Sequence, residues 1–308
     1  MLKLMYISDH GTLQDGSGNG AEPSVCIYTA PTEEEKKELV EHYKIDEHTL
    51  NSALDPDELS RLEFEPEHVA MIFKRPRHYA AEDNFLFKVA STGVFVFKDK
   101  LIIVTADEAP LFEGRHFVKM QSIQDVLLKL INRSISHFLE HLKAINTLAG
   151  SIEQLISTST ENKHLLNLFT LEKSLVYYFN ATNSNGVLIE RLKNSAGKIG
   201  FTSENIEFLD DLTIENTQCR EQANIYSQVL ASLMDARASI IANNLNIRIK
   251  MLTMLTIAIM LPTLVVSYFS MNVQLPRPKD EPTSFWIITA LMVFVTLVFV
   301  FFWWRRRW

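Results

Sequence analysis

The chain has 308 residues, enough for two domains, and a formal net charge of −7. From Arg248 onward there are seven basic and two acidic residues, a balance of +5, so the portion before it carries −12. An acidic body of that size argues against nucleic acid as a partner and is compatible with a cation.

Taken in order, Met1 to about Met120 reads as mixed α/β. Strand-like runs rich in β-branched and aromatic residues fall at Leu2–Ile7, Val25–Tyr28, His68–Phe73, Phe85–Val89, Val94–Phe97 and Leu101–Thr105, with Asn84 and Gly93 as breaks. Thr32 followed by Glu33, Glu34 and Glu35 opens a helix, its acids at the positive end. Asp46 to Leu54 is a second short helix, ended by Asp55-Pro56. The Gly-rich hexad Asp15–Gly20 lacks the strand-to-helix setting of a phosphate loop and reads as a hairpin turn or loose tip. Met1 to Asn19 has no apolar core of signal-peptide length, so none is expected. Cys26 and Cys219 lie far apart and match no metal spacing, which fits a reduced compartment.

Beyond Met120 the pattern turns helical: Ser122 to about Ser157, then Glu161 to about Leu192 running antiparallel to it, then a turn at Asn194–Thr202. His137 and His141 stand one helical turn apart without the HExxH pattern and are expected on a solvated helix face. From Ser203 there is no Gly or Pro until Pro262. One helix therefore runs to about Ser270, on the order of 100 Å. Such a rod cannot bury itself within one chain and implies neighbours, most simply copies of itself.

The stretch Asn246–Asn272 has no charge after Lys250 and is long enough to cross a bilayer. Its polar residues form a stripe: Asn246, Ile249, Thr253, Thr256, Met260, Thr263, Ser267 and Ser270 follow one another in alternating steps of three and four, and six of the eight are polar. Such a stripe either hydrogen-bonds helices together or lines a wet path. A second uncharged run, Thr283–Trp304, follows a short linker. Five basic residues flank the two spans on the outside of the hairpin, against Arg277 and Lys279 within it, which places both termini in the cytoplasm. Trp286, Trp303, Trp304 and Trp308 sit near the span ends, where indole rings prefer the interface. The stripe holds no carboxylate. Neutral oxygens suit an ion that keeps its waters, and Mg2+ releases water reluctantly. Ile249 and Met260 would form dewetting constrictions. The membrane field supplies about 4.6 kcal/mol per 100 mV for a doubly charged ion. No nucleophile–base pair or cofactor loop supports an enzyme.

The segment Tyr268-Phe269-Ser270-Met271-Asn272-Val273, set between two C-terminal spans and followed by a terminal basic cluster, resembles the CorA magnesium transporter family. Ala53-Leu54-Asp55-Pro56-Asp57-Glu58 and the strand ending Phe73-Lys74 resemble that family's N-terminal domain. The resemblance implies a funnel-shaped homopentamer in the cell (inner) membrane. Each chain would have an α/β cytoplasmic domain (1–120), long helices including a stalk (121–250) and a transmembrane hairpin (251–308, spans about 251–270 and 284–304). First-span helices would line one pore for Mg2+. Asn272 and Met271 match the last two residues of the family's Gly-Met-Asn filter, and Ser270 departs from the Gly, adding five hydroxyls and removing its freedom at positive φ. Asn246 matches an inner pore Asn, Met260 an apolar gate, Thr263 and Ser267 the polar lining, and Asp235 an acidic ring at the cytoplasmic mouth. Asp211, in Asp210-Asp211, falls at a Mg2+-sensing carboxylate, with Glu82 or Asp83 of a neighbour as its partner; a solvated stalk face is the alternative. Carriage of Zn2+, Co2+ or Ni2+, and a non-conducting sensor or scaffold, are the competing functions. The outer loop is less acidic than the family's, Arg277 and Lys279 offsetting Asp280 and Glu281.

Overall fold

The computed structural model describes residues 1–8, 11–16, 23–79, 83–108, 111–112, 117–158, 162–271 and 282–305. The chain divides into two compact units, Met1–Met234 and Asp235–Trp308. The first begins with strands β1 (Leu2–Ile7), β2 (Leu13–Asp15) and β3 (Val25–Thr29), and helices α1 (Glu33–Glu41) and α2 (Glu47–Leu54). Strands β4 (Arg61–Phe64), β5 (Val69–Pro76), β6 (Val89–Val96) and β7 (Leu101–Thr105) follow. They form one seven-stranded sheet in the order β2-β1-β3-β7-β6-β5-β4, antiparallel except for the β3–β7 pair.

Strand periodicity explains the layering. Along β3, Val25 and Ile27 join the core shared with the long helices, while Cys26 and Tyr28 join the core shared with α1 and α2. β7 divides in the same way, Leu101 and Ile103 against Ile102 and Val104. Being covered on both faces, these central strands carry continuous apolar runs. Thr32 caps α1 through a reciprocal capping box with Glu35, and Asp46 caps α2 by accepting from the Thr49 N–H.

Two departures from the strand pattern have clear causes. Gly93 is no break but lies inside β6, paired with Ile72 and Val104. A Cβ there would stand 2.4 Å from the Ala53 Cβ, so Gly is what lets α2 lie close on the sheet. Phe85–Val89 is not a strand, since β6 starts only at Val89. Asn84 and Phe85 adopt left-handed backbone (φ 47° and 68°), and the Phe87 N–H is taken by the Ser174 hydroxyl at 3.0 Å.

Three long helices complete this unit: α3 (Ile123–Thr158), α4 (Asn162–Asn194) and the first part of α6 (Ser203–Phe269), with the single turn α5 (Ala196–Ile199) before it. Gly200, at φ 80°, terminates α5 in the left-handed conformation. α3 and α4 run antiparallel: Ser134 and Asn185 meet at one level, and Phe138 and His141 meet Tyr178 one to two turns further along.

Buried amides and hydroxyls fix the helices to the sheet. Asn185 of α4 donates to the Lys74 carbonyl and accepts from the Lys74 N–H, both at 2.8 Å, and accepts from the Ser60 hydroxyl at 2.8 Å. It behaves as one more backbone rung beside β5. The Lys74 ammonium turns to the other segment with a family resemblance, donating to the Pro56 carbonyl at 2.7 Å and to the Ser91 hydroxyl at 3.0 Å. Burial lowers its pKa, partly offset by the Asp57, Asp55 and Glu58 carboxylates. In α6, Asn205 donates to Asp125 of α3 and Asn216 to the Thr182 carbonyl of α4, each at 2.8 Å.

His137 and His141 are not on a solvated face. Both rings are largely enclosed, packed 4.3 Å apart, and His141 Nδ1 shares a 2.5 Å hydrogen bond with the buried Tyr178 hydroxyl. Burial first, then the Arg133 guanidinium for His137 and the His137 ring for His141, pushes each pKa down to about 4. Helical spacing identified the face but not what covers it.

Two measurements test this packing. Gly93→Ala is expected to cost about 1–3 kcal/mol by overpacking, and adding Ala53→Gly should recover part of it, read as a non-additive double-mutant cycle in denaturant titrations of the solubilised chain. Unfolded imidazoles take up protons near pH 6.5, whereas these two resist until about pH 4. Their share of stability is therefore intact above pH 6.5 and lost as pH falls toward 4. His141→Gln should flatten that acid loss in a melting series; an unchanged pH slope would contradict the assignment.

Candidate functional site

The second unit contains the end of α6 and the helix α7 (Pro282–Arg305). Both are long and apolar enough to cross a membrane. Pro262 lies within α6 without ending it. Asn246, Ile249, Thr253, Thr256, Met260, Thr263 and Ser267 all belong to this one uninterrupted helix and are all exposed.

The covered face of the same helix falls elsewhere. Met254, Ala258, Leu261, Val265 and Phe269 are only half exposed and also recur in steps of three and four. At 3.6 residues per turn their mean direction lies about 160° from that of the polar stripe. On α7 the half-exposed positions Ile288, Met292, Val295 and Phe299 form a matching series. Among the described residues of this unit, the less exposed face of each helix is read as the one the hairpin turns inward. The polar stripe lies on the opposite side of α6.

The hydroxyls of the stripe share a local chemistry. Thr253 donates to the Ile249 carbonyl at 2.9 Å, Thr256 to Leu252 at 2.9 Å and Thr263 to Ile259 at 2.8 Å. Ser270 donates to the Ser267 carbonyl at 2.9 Å. Each hydroxyl spends its one proton inside the helix and keeps its lone pairs. The result is a row of acceptors, suited to a cation or to the protons of its water shell.

Ser270 closes the helix, its N–H reaching the Val266 carbonyl at 3.0 Å. It is absent from the left-handed region, so a residue with a Cβ stands there without strain in this chain. Met271 is exposed, and Asn272 lies outside the described residues. Asp235 is exposed on α6, eleven residues before Asn246 and close to the same helical face.

The expected sensor residues are distributed as follows. Asp211 is exposed on α6. Asp210 forms an ion pair with Lys193 of α4, which occupies its carboxylate. Asp83 pairs with Lys88 at 3.0 Å, and Glu82 lies outside the described residues. Among the described residues no three His, Cys, Asp or Glu side chains are arranged to hold a metal ion within one chain. What sequence reasoning missed was the inward face of the hairpin; its signal was the second series of small and apolar residues, Met254 to Phe269, masked because every non-stripe position is apolar.

Comparison with known proteins agrees with this architecture. The chain is 24% identical over 287 residues to the cobalt/magnesium transport protein CorA of Methanocaldococcus jannaschii, covering 90% of this chain and 89% of that one. Its fold matches the complete structure of the CorA magnesium transporter from the same organism with a TM-score of 0.84 at 22% identity, over 100% of this chain and 98% of that one. It also matches the full-length CmaX protein with a TM-score of 0.74 at 16% identity, over 99% and 98% of the two chains. The model of one family, described as CorA-like Mg2+ transporter protein, matches residues 26–306. An α/β domain, a long helix and two C-terminal apolar helices are thus shared with these structures, and the chain belongs to the CorA-like Mg2+ transporter family.

Proposed function

We propose that this chain conducts hydrated Mg2+ through a pore that several copies form around their α6 helices, a homopentamer by the family resemblance. The observation that carries this reading is the opposition of faces on α6. The hairpin shields Met254 to Phe269, so the hydroxyl stripe is left for neighbouring copies or for water. Acceptor-only oxygens from Thr253, Thr256 and Thr263 would hold the ion through its waters, since Mg2+ dehydrates reluctantly. Ile249 and Met260 would be the constrictions, Asn246 the inner polar ring and Asp235 the cation-attracting ring at the cytoplasmic mouth. Ser270, Met271 and Asn272 would form the outer filter.

In this reading residues 1–120 and 121–250 are the cytoplasmic sensor and stalk, residues 251–308 the pore hairpin, and both termini are cytoplasmic. Cytoplasmic Mg2+ would bridge Asp211 of one subunit to Asp83 or Glu82 of the next, holding a closed symmetric ring. Loss of those ions would leave carboxylates repelling across the subunit boundary and loosen it. Asp211 is better suited than Asp210, whose carboxylate is held by Lys193. Co2+ is a second cargo, on the strength of the cobalt/magnesium relative. The stripe has no imidazole or thiolate for softer ions, which favours Mg2+ over Zn2+ or Ni2+.

Flux into liposomes loaded with a Mg2+ indicator tests the lining. Replacing Thr253, Thr256 and Thr263 together by Val keeps shape and removes the acceptors; a several-fold loss of Mg2+ flux is expected, and Asn272→Ala should lower it at least about tenfold. Thr289→Val and Thr296→Val, whose hydroxyls also bond to their own helix but on the hairpin's inner side, should leave flux unchanged. Equal losses from both sets would remove the stripe from the path.

The sensor has its own test. Asp211→Lys should shift inhibition by internal Mg2+ to higher concentration by about tenfold or abolish it, with maximal flux retained. Unchanged gating would take Asp211 out of the sensor.

A further inference from the structure

Between the end of β5 and α3 lies a cavity of about 30 Å3, whose described wall includes Arg75, His78, Arg133, Ser134 and His137 beside apolar side chains. Every titratable group in that described wall is basic, in a cytoplasmic portion that carries −12 overall. Arg75 is committed: its Nε donates to the Thr92 hydroxyl at 3.0 Å, and a terminal N–H donates to Asp107. Arg133 is not. Among the described residues its one hydrogen-bond partner is Glu140, reached by Nη1 at 3.3 and 3.4 Å, the long end of the hydrogen-bond range. A guanidinium has five N–H donors, so most of those on Arg133 remain available.

The paired histidines invite a metal, but their surroundings oppose one. His141 Nδ1 is taken by the Tyr178 hydroxyl. The Arg133 and Arg75 guanidiniums act electrostatically on His137 and would repel a second cation. The same charges favour an anion. Size favours a small occupant, because an interior of about 30 Å3 is on the order of one or two waters.

We propose that this cavity is a binding site for a monatomic anion, chloride in the cell, held by the Arg133 guanidinium with His137 and His78 as further donors. The groups around His137 come from three directions: Arg75 and His78 from β5 and its end, Arg133, Glu140 and His141 from α3, and Asp107 after β7 as the partner of Arg75. A bound anion favours the imidazolium of His137 over the neutral ring, so affinity rises as pH falls. All of these residues belong to the first unit, and the site does not depend on the pore reading.

The test is thermal unfolding of the full solubilised chain in chloride, bromide and gluconate at constant ionic strength, at pH 5.5 and 7.5. Chloride and bromide should raise the midpoint in a saturable manner relative to gluconate, with tighter apparent binding at pH 5.5. Arg133→Gln should weaken halide binding by about tenfold or more, the cost of losing a charged donor. His137→Gln should remove the pH dependence while leaving residual binding. Should Arg133→Gln fail to fold, Arg133→Lys serves, with weakened binding and the pH dependence intact. Identical midpoints in all three salts, or a halide effect that both substitutions leave untouched, would overturn the site.

Discussion

A helix that crosses a bilayer must place its polar side chains where something other than lipid meets them. On α6 the two faces divide this requirement between them. The inward face is apolar and half covered, from Met254 to Phe269, and the hydroxyl stripe faces away from it. Had the hydroxyls lain on the inward face, they would read as hydrogen-bonding glue between the two crossings of one chain. Their position on the far side, with each proton already used within the helix, is what suits the stripe to the proposed cation path.

The other half of α6 satisfies a different constraint. Asn205 and Asn216 are buried amides on a helix packed against α3 and α4, and each finds a partner there at 2.8 Å. Asn185 does the same between α4 and β5. A buried amide left unpaired costs about 1–3 kcal/mol, so these contacts allow few alternative packings. One continuous helix thus carries the amides that fix it to the sheet domain and the hydroxyls of the stripe.

Most of this was legible in the residues, for identifiable reasons. The 3.5-residue recurrence of polar positions and the absence of Gly or Pro before Pro262 gave the long helix and its stripe, because both are local properties of one element. The central strands declared themselves by continuous apolar runs buried on both faces. β4 did not, because Arg61 and Glu63 surround a single buried Leu62 at the sheet edge. Gly93 looked like a break because a strand interior seldom holds Gly, and only the approach of Ala53 from α2 explains it. His137 and His141 were assigned to water because helical spacing says which residues share a face and nothing about the β5 end and Tyr178 that cover it. Each error came from a contact distant in sequence.

The central claim is that the hydroxyl face of α6 is wet in the assembled protein and the opposite face is not. Single cysteines at Thr256, Thr263, Ala258 and Val265 in the liposome-reconstituted chain test it directly, with the native Cys26 and Cys219, both buried, replaced by Ala. A charged, membrane-impermeant thiol reagent should modify the Thr256 and Thr263 positions and block Mg2+ flux, while the Ala258 and Val265 positions stay unreactive. Reaction at Ala258 and Val265, with Thr256 and Thr263 inert, would contradict the account.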